Sequence, residues 1–408
     1  MTDALASGRG RLRILVAPSG FKEGLDVSDV ATAMARGVRR ALPDCELAVV
    51  PVFDGGEGFT RAMVRMKGGR KRRISVTGPL GRKVDASFGL IALDGVRTAA
   101  IEISAAAGLR LVPRNRRHLL ATTTSRGVGE LIRAALDAEA KRILIGCGDS
   151  GVNDGGAGLA QALGVCFLDS RNKELAPGGE ALSRLHRIDL SGLDPRIRDV
   201  EIEVCLNIRN MLLGRHGVSR VFGPQKGASP AQVERLEAGL SRYADCLKAT
   251  TGKNAATLPG GGASGGLGAA LHCLLGARLV PRYDFIERHI PLTGHIDWAD
   301  LIISAEGRID RQTCRGKIPG EIARRAKARG KPVIVLAGAV GEGAAACYAQ
   351  GISAFVSIID QPYNLAQAIG GTQRLLESGT EHVMRIVAVG GSLAPATAGR
   401  LQPVPTDD

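Results

Sequence analysis

A chain of 408 residues with 44% hydrophobic and 23% charged residues has material for two buried cores, and no apolar run approaches the ~18 residues of a membrane span. The net charge of +14 invites an anionic partner, but the basic clusters at 36–40, 70–73, 114–117 and 324–329 are dispersed and only 3% of residues are aromatic; a small anionic molecule is expected, not nucleic acid. Eight cysteines without a C-x-x-C pair or zinc-like spacing predict core thiols, and a polar, basic Met1–Arg13 without an apolar stretch predicts a cytoplasmic protein.

Leu12–Ala17 reads as an apolar strand that stops at Pro18-Ser19-Gly20-Phe21-Lys22-Glu23-Gly24. Ser28 is the expected N-cap of a helix in which Val30, Ala33, Met34, Val38 and Ala41 recur at helical spacing. The next strand, 46–52, ends in Phe53-Asp54-Gly55-Gly56-Glu57-Gly58. Loops at the carboxyl ends of strands line ligand crevices in open α/β sheets, so Lys22, Asp54 and Glu57 are candidates for one site. From Arg72 the pattern becomes short strands and tight turns, Ile74–Thr77, Val84–Ala92 and Thr98–Ile103, and a domain boundary is expected there.

A helix over 128–140 and the strand Arg142–Ile145 lead into Gly146-Cys147-Gly148-Asp149-Ser150-Gly151-Val152-Asn153-Asp154-Gly155-Gly156-Ala157-Gly158. Six glycines opening a helix can form an anion cradle, or a plain βα turn; no Gly-Lys-Ser/Thr follows, so it is not a Walker loop. A hairpin is expected over 165–173 and a strand over 201–205. Gly and Pro around Lys226 predict a rigid turn in which a point charge suits a phosphate. A long helix over 230–249 precedes a second Gly-rich loop, 259–268. Beyond Asp300 the strand–loop–helix rhythm returns: Leu301–Ser304, the loop Ala305-Glu306-Gly307-Arg308-Ile309-Asp310, a helix starting at Gly316-Lys317, a strand over 333–337, a helix over 341–350 and a strand over 354–358. The tail after Ser392 reads as loose.

Laid out in order, Ala17-Pro18 with Phe21-Lys22-Glu23, Pro51–Gly58, Thr77-Gly78-Pro79-Leu80-Gly81, Ile101-Glu102 with Ala105–Leu109, Asn153–Gly158, Phe222–Ala228, and Glu306–Asp310 with Gly316-Lys317 resemble the type I glycerate kinase family, from about Arg13 to about Gly390. The resemblance implies a flavodoxin-like, Rossmann-like parallel-sheet domain (1–72 plus 298–408) with a second α/β domain inserted (73–297). It implies transfer of phosphate from MgATP to D-glycerate between the two domains, giving 2-phosphoglycerate, with ATP and Mg2+ as cofactors; a homodimer is compatible with it. Phosphoryl transfer asks a protein mainly to position groups and neutralise charge. Carried over by motif, Asp154, Asp54 and Lys22 are the candidate catalytic residues. Ser150, Asn153, Gly155, Gly156, Asn207, Arg209, Lys226, Gly265, Gly266, Arg308 and Lys317 are candidates for substrate and phosphate binding, and Glu306 and Asp310 for the metal.

Several motif positions depart from the family pattern. Pro-Asp-Ser/Ser-Phe-Lys is here Pro18-Ser19-Gly20-Phe21-Lys22, and Gly-Gly-Ser-Ala-Thr-Asn-Asp is Gly148-Asp149-Ser150-Gly151-Val152-Asn153-Asp154. Cys-Asp-Val-x-Asn-Pro-Leu is Leu206-Asn207-Ile208-Arg209-Asn210-Met211-Leu212, and Thr-Gly-Glu-Gly is Ser304-Ala305-Glu306-Gly307. Gaining an acid at 149 and losing one at 207, with Arg209 beside it, is a compensating redistribution of charge that favours an altered substrate over random decay, so a kinase of another small hydroxy acid is the alternative to glycerate. A ligand-binding relative without catalysis is the reading from a different class.

Overall fold

The computed structural model describes residues 11–21 and 24–393. Its strands in chain order are β1 (Arg13–Val16), β2 (Glu46–Val49), β3 (Gly69–Thr77), β4 (Lys83–Leu93), β5 (Val96–Glu102), β6 (Arg142–Cys147) and β7 (Cys166–Leu168). There follow β8 (Arg187–Asp189), β9 (Glu201–Leu206), β10 (Arg278–Pro281), β11 (Leu301–Ile309), β12 (Val333–Val340) and β13 (Ala354–Ser357). The chain divides into two compact units, residues 1–52 with 291–408, and residues 53–290.

The first unit is built on one sheet in the order β13-β12-β11-β1-β2, every pair parallel. Counting only its own strands, that is 2-1-3-4-5, the flavodoxin order. Ile14–Val16 of β1 and Leu301–Ile303 of β11 are buried apolar runs, as strands covered on both faces must be. The helix Val27–Ala41 turns Val30, Ala33, Met34 and Val38 into the core with Leu375, Leu376, Val383 and Met384 of the helix Thr372–Leu393. Asp26, not the expected Ser28, caps the first of these helices, accepting from the amides of Ser28 and Asp29 at 2.9 and 3.1 Å. The tail beyond Leu393 lies outside the described residues.

In the second unit the sheet runs β10-β9-β6-β5-β4-β3, parallel from β10 to β5 and antiparallel through β4 and β3. The division falls at residue 52 and not near Arg72, because the helix Phe59–Lys67 belongs to this sheet. Phe59 is fully buried, its ring 5.2 Å from that of Phe53 and 5.7 Å from that of Phe285, a burial that stabilises by about 2–3 kcal/mol. Thr60 fixes the same helix by donating from its amide to Glu102 at 3.1 Å and from its hydroxyl to the Ala100 carbonyl at 3.3 Å. The change of texture at Arg72 marks a switch from helix to antiparallel strands inside one unit. The hairpin expected over 165–173 is reduced to a turn that Asp169 closes through the amides of Arg171 and Lys173, with a single bridge from Leu168 to Glu174; β7 pairs instead with the more distant β8.

Six cysteines are free thiols, five of them buried. Cys314 and Cys347 depart from the expectation of core thiols: they are joined in a disulfide within the first unit. None of the described helices is long and apolar enough to cross a membrane.

Candidate active site

The candidate residues collect into two groups, one in each unit. Lys22 lies outside the described residues.

In the second unit the carboxyl ends of β5, β6 and β9 are level, with Glu102 beside Gly146 and Cys147 beside Leu206. The loop 53–58 lies over these ends. Its Gly55 amide donates to the Asn207 side-chain oxygen at 2.6 Å, its Glu57 amide to Asp149 at 3.2 Å, and its Gly56 amide to Asp54 at 2.9 Å. A Cβ at Gly56 would overlap the Asp149 carboxylate, so glycine is what lets the loop approach. Asp149 itself adopts a left-handed backbone with φ of 50°. Asp54 is half-buried beside this contact, and Arg209 is exposed. Two departures from the family pattern, Asp149 and Asn207, therefore hold the same loop.

Asp154 occupies a different environment from Asp54. It is fully buried, and its carboxylate accepts from the Ser125 amide at 2.7 Å, the Ser125 hydroxyl at 2.9 Å and the amides of Gly156 and Gly158 at 3.1 and 3.3 Å. Burial pushes its pKa up against the pull of those donors. The opening of the helix Ala157–Ala162 thus already holds an anion, the protein's own carboxylate. The expected anion cradle is filled from within: Gly155 packs on the Tyr243 ring, Gly156 against Leu267 and Ala270, and both are buried. Both Asp154 oxygens are thus engaged by donors of the protein itself, with no part of the side chain exposed.

Lys226 is buried as well. Its ammonium donates to the Ser150 hydroxyl and the Val152 carbonyl, both at 2.9 Å, and burial pulls its pKa down to about 8. Through these two bonds the turn 224–226 is tied to the loop 150–152. Asn153 donates to Ser219 at 2.9 Å, and its buried side-chain oxygen has no protein partner. The second Gly-rich loop locks onto the first: Gly155 donates to the Gly265 carbonyl at 3.0 Å. Gly265 has φ of 80°, and a Cβ there would collide with the Val152 carbonyl. Gly266 continues the same left-handed run.

The first unit carries the acidic group. β1 and β11 are adjacent at the point where the strand order reverses, the place where open α/β sheets form their crevice. Ser19 closes the end of β1 by donating from its amide and hydroxyl to the Ala305 carbonyl at 2.9 and 2.8 Å. Beyond β11, Glu306 is buried and accepts from the Thr313 hydroxyl at 2.7 Å. The Lys317 ammonium lies 3.3 Å from Asp310 and 3.6 Å from Glu306, and Arg308 lies 3.5 Å from Asp310. Burial raises the pKa of Glu306; it acts against Asp310 too, but the Gln312 amide and Lys317 hold that carboxylate below its ordinary value. Two hard oxygen donors with a bridging cation suit a divalent ion that arrives with phosphate oxygens of its own. Among the described residues no cluster of three or more His, Cys, Asp or Glu side chains forms a dedicated metal cage.

Sequence reasoning missed Ser125 and Thr313, whose hydroxyls fix Asp154 and Glu306. Ser125 sits at a helix start preceded by three threonines, a local signal for capping but none for its partner 29 residues on. Two cavities of about 490 and 770 Å³ open elsewhere, around Arg97, Asp137 and Glu139 near the amino ends of β5 and β6, where Arg97–Glu139 and Arg196–Asp137 are ion-paired.

Residues 14–388 match the sequence pattern of the glycerate kinase family. The chain is 43% identical over 379 residues to glycerate 2-kinase of Escherichia coli (strain K12), covering 93% of this chain and 99% of the relative. It is 44% identical over 366 residues to glycerate kinase of Bacillus subtilis (strain 168), covering 90% and 95%. A crystal structure from Salmonella typhimurium LT2, designated glycerate kinase 2, superposes with a TM-score of 0.81 at 41% identity, over 94% of this chain and all of the other. The agreement of motifs, sheet order and length leads to one conclusion: this chain belongs to the glycerate kinase family.

Proposed function

We propose that this protein is an ATP-dependent kinase that converts D-glycerate to 2-phosphoglycerate. The observation that carries the reading is the half-buried Asp54 in the loop 53–58, held over the ends of three parallel strands by Asp149 and Asn207. Asp54 takes the hydroxyl proton, since Asp154 is buried and fully engaged. Glu306 and Asp310 would hold magnesium, which when bound would supply charge neutralisation to phosphate oxygens, and Lys317 and Arg308 place positive charge beside those carboxylates. Asp154, Lys226, Gly155, Gly156 and Gly265 act by shaping the loops.

The test is ADP release by the purified chain with MgATP and D-glycerate, with Asp54→Asn in parallel. Turnover that falls by about 10²–10⁴ in the variant supports the assignment. Turnover retained in the variant removes Asp54 from the proton transfer. The shared contact of Asp149 and Asn207 with one loop favours a second reading, a different small hydroxy acid as acceptor. A panel of such acids separates the two, and no turnover with any of them leaves a protein that binds without catalysis.

A further inference from the structure

The disulfide between Cys314 and Cys347 joins positions 33 residues apart, with Cα atoms 5.5 Å from each other. Cys314 stands in the turn Thr313–Arg315, between the two residues that organise the acidic group: Thr313, which donates to Glu306, and Lys317, which lies between Glu306 and Asp310. Cys347 is fully buried in the turn Ala344–Gln350, with its sulfur 3.6 Å from the Asp310 carbonyl. The Arg311 amide adds a 3.4 Å contact to the Glu342 carbonyl. Covalent attachment thus ties the segment bearing Asp310 and Lys317 to the segment after β12.

The sulfurs differ in access. Cys314 is only partly buried, so an incoming thiolate meets it first, and Cys347 is the leaving sulfur. Once reduced, the Cys347 thiol has the Asp310 carbonyl ready to accept its hydrogen. The six remaining cysteines offer no comparable chemistry: burial raises the pKa of each and keeps it a protonated, slow thiol.

We propose that the Cys314–Cys347 pair is a thiol–disulfide exchange site whose reaction partner is a dithiol, and that its state sets how firmly the turn carrying Asp310 and Lys317 is held. One thiolate of the dithiol attacks the Cys314 sulfur; the bond to Cys347 breaks and its electron pair leaves on the Cys347 sulfur, which takes a proton. The second thiol then attacks the mixed disulfide and releases Cys314. Two electrons and two protons pass to the pair, and the dithiol becomes a disulfide. The consequence for turnover rests on the kinase reading above; the consequence for the turn does not.

The experiment uses the full chain, oxidised or treated with dithiothreitol. Alkylation after denaturation, read by mass spectrometry, should give six modified cysteines in the oxidised protein and eight in the reduced one. Amide exchange over 310–317 should quicken about tenfold on reduction. Cys314→Ser should exchange at the fast rate with or without reductant, and Cys347→Ala should repeat that behaviour. Eight alkylated cysteines even after treatment with an oxidised dithiol, or exchange over 310–317 indifferent to reductant, overturns the proposal. If exchange responds but no phosphate transfer occurs in either state, the kinase reading fails and the exchange site stands. If the kinase is active, its KM for MgATP should rise on reduction in the parent chain and be indifferent to reductant in Cys314→Ser.

Discussion

Lys226 and Lys317 read alike in the sequence, each a lysine beside glycine and proline in a motif loop, but the two units use them differently. Lys226 is buried, and its ammonium is spent on Ser150 and Val152. Lys317 keeps 36% of its side chain exposed and lies between two carboxylates. The same contrast separates Asp154, whose oxygens are taken by Ser125, Gly156 and Gly158, from the half-buried Asp54. A charged residue in a motif loop can meet a ligand without a rearrangement only if the fold leaves it solvent. Where solvent is excluded, the reading proposed above gives the residue a part in stability, and loss of activity would follow from loss of shape.

The largest effect expected from that contrast is on folding. Asp154→Ala strands the Ser125 hydroxyl and three amides in the interior, and should lower stability by about 4 kcal/mol. Urea unfolding followed by circular dichroism measures it. A midpoint within error of the parent would return Asp154 to the list of catalytic candidates.

Lys226 gives a pH signature of the same burial. Its pKa is about 8 in the folded chain against 10.5 for the ordinary side chain. Below pH 8 both folded and unfolded chains carry the proton, and the fold bears the whole cost of burying the charge. Between about pH 8 and 10.5 the unfolded chain binds more protons than the folded one, so stability gains by about 3 kcal/mol as pH rises, relative to Lys226→Met. Parallel slopes for the two proteins over that range would mean that the ammonium is better hydrated than its surroundings suggest.

How much of this was legible depends on the range of the interactions. The strand–loop–helix units of the first sheet follow from apolar runs such as Ile14–Val16 and Leu301–Ile303 alternating with amphipathic helices, a local pattern that carries its own meaning, whereas the flavodoxin-like order was implied only by the resemblance of the motifs. The meeting of the 53–58 loop with Asn207 spans 152 residues, and the bond from Lys226 to Ser150 spans 76; neither leaves a mark on spacing. The motifs located the loops correctly without showing which side chains turn inward. For the same reason the boundary was expected near Arg72, where the local texture changes, when Phe59 and Thr60 had already committed the preceding helix to the second sheet. The disulfide was invisible because Cys314 and Cys347 meet only when their two turns pack.

Lys317→Met tests the exposed member of the lysine pair. Removing a cation beside Glu306 and Asp310 should reduce kcat/KM by about 10²-fold while the urea midpoint stays near that of the parent, because a half-exposed side chain contributes little to folding. Lys226→Met should show the reverse bias, with its midpoint displaced and its kinetic loss tracking the fraction unfolded. Equal kinetic losses at equal stability would dissolve the distinction between the two residues.

The smallest effect belongs to Asn207→Asp, which restores the family's residue. The new carboxylate can still accept from the Gly55 amide, so the loop 53–58 should keep its place. It adds negative charge to a region that already holds Asp54 and Asp149, and like charges disfavour a bound acid. For an active glycerate kinase the expected change is a rise in KM for D-glycerate of up to about tenfold, corresponding to roughly 1.4 kcal/mol, with kcat nearly unchanged. The double variant Asp149→Ser/Asn207→Asp should recover most of that loss, since the charge gained at one position is removed at the other. If instead Asn207→Asp alone improves D-glycerate while weakening a different hydroxy acid, the pair at 149 and 207 was tuned to that acid, and the second reading of the substrate takes precedence.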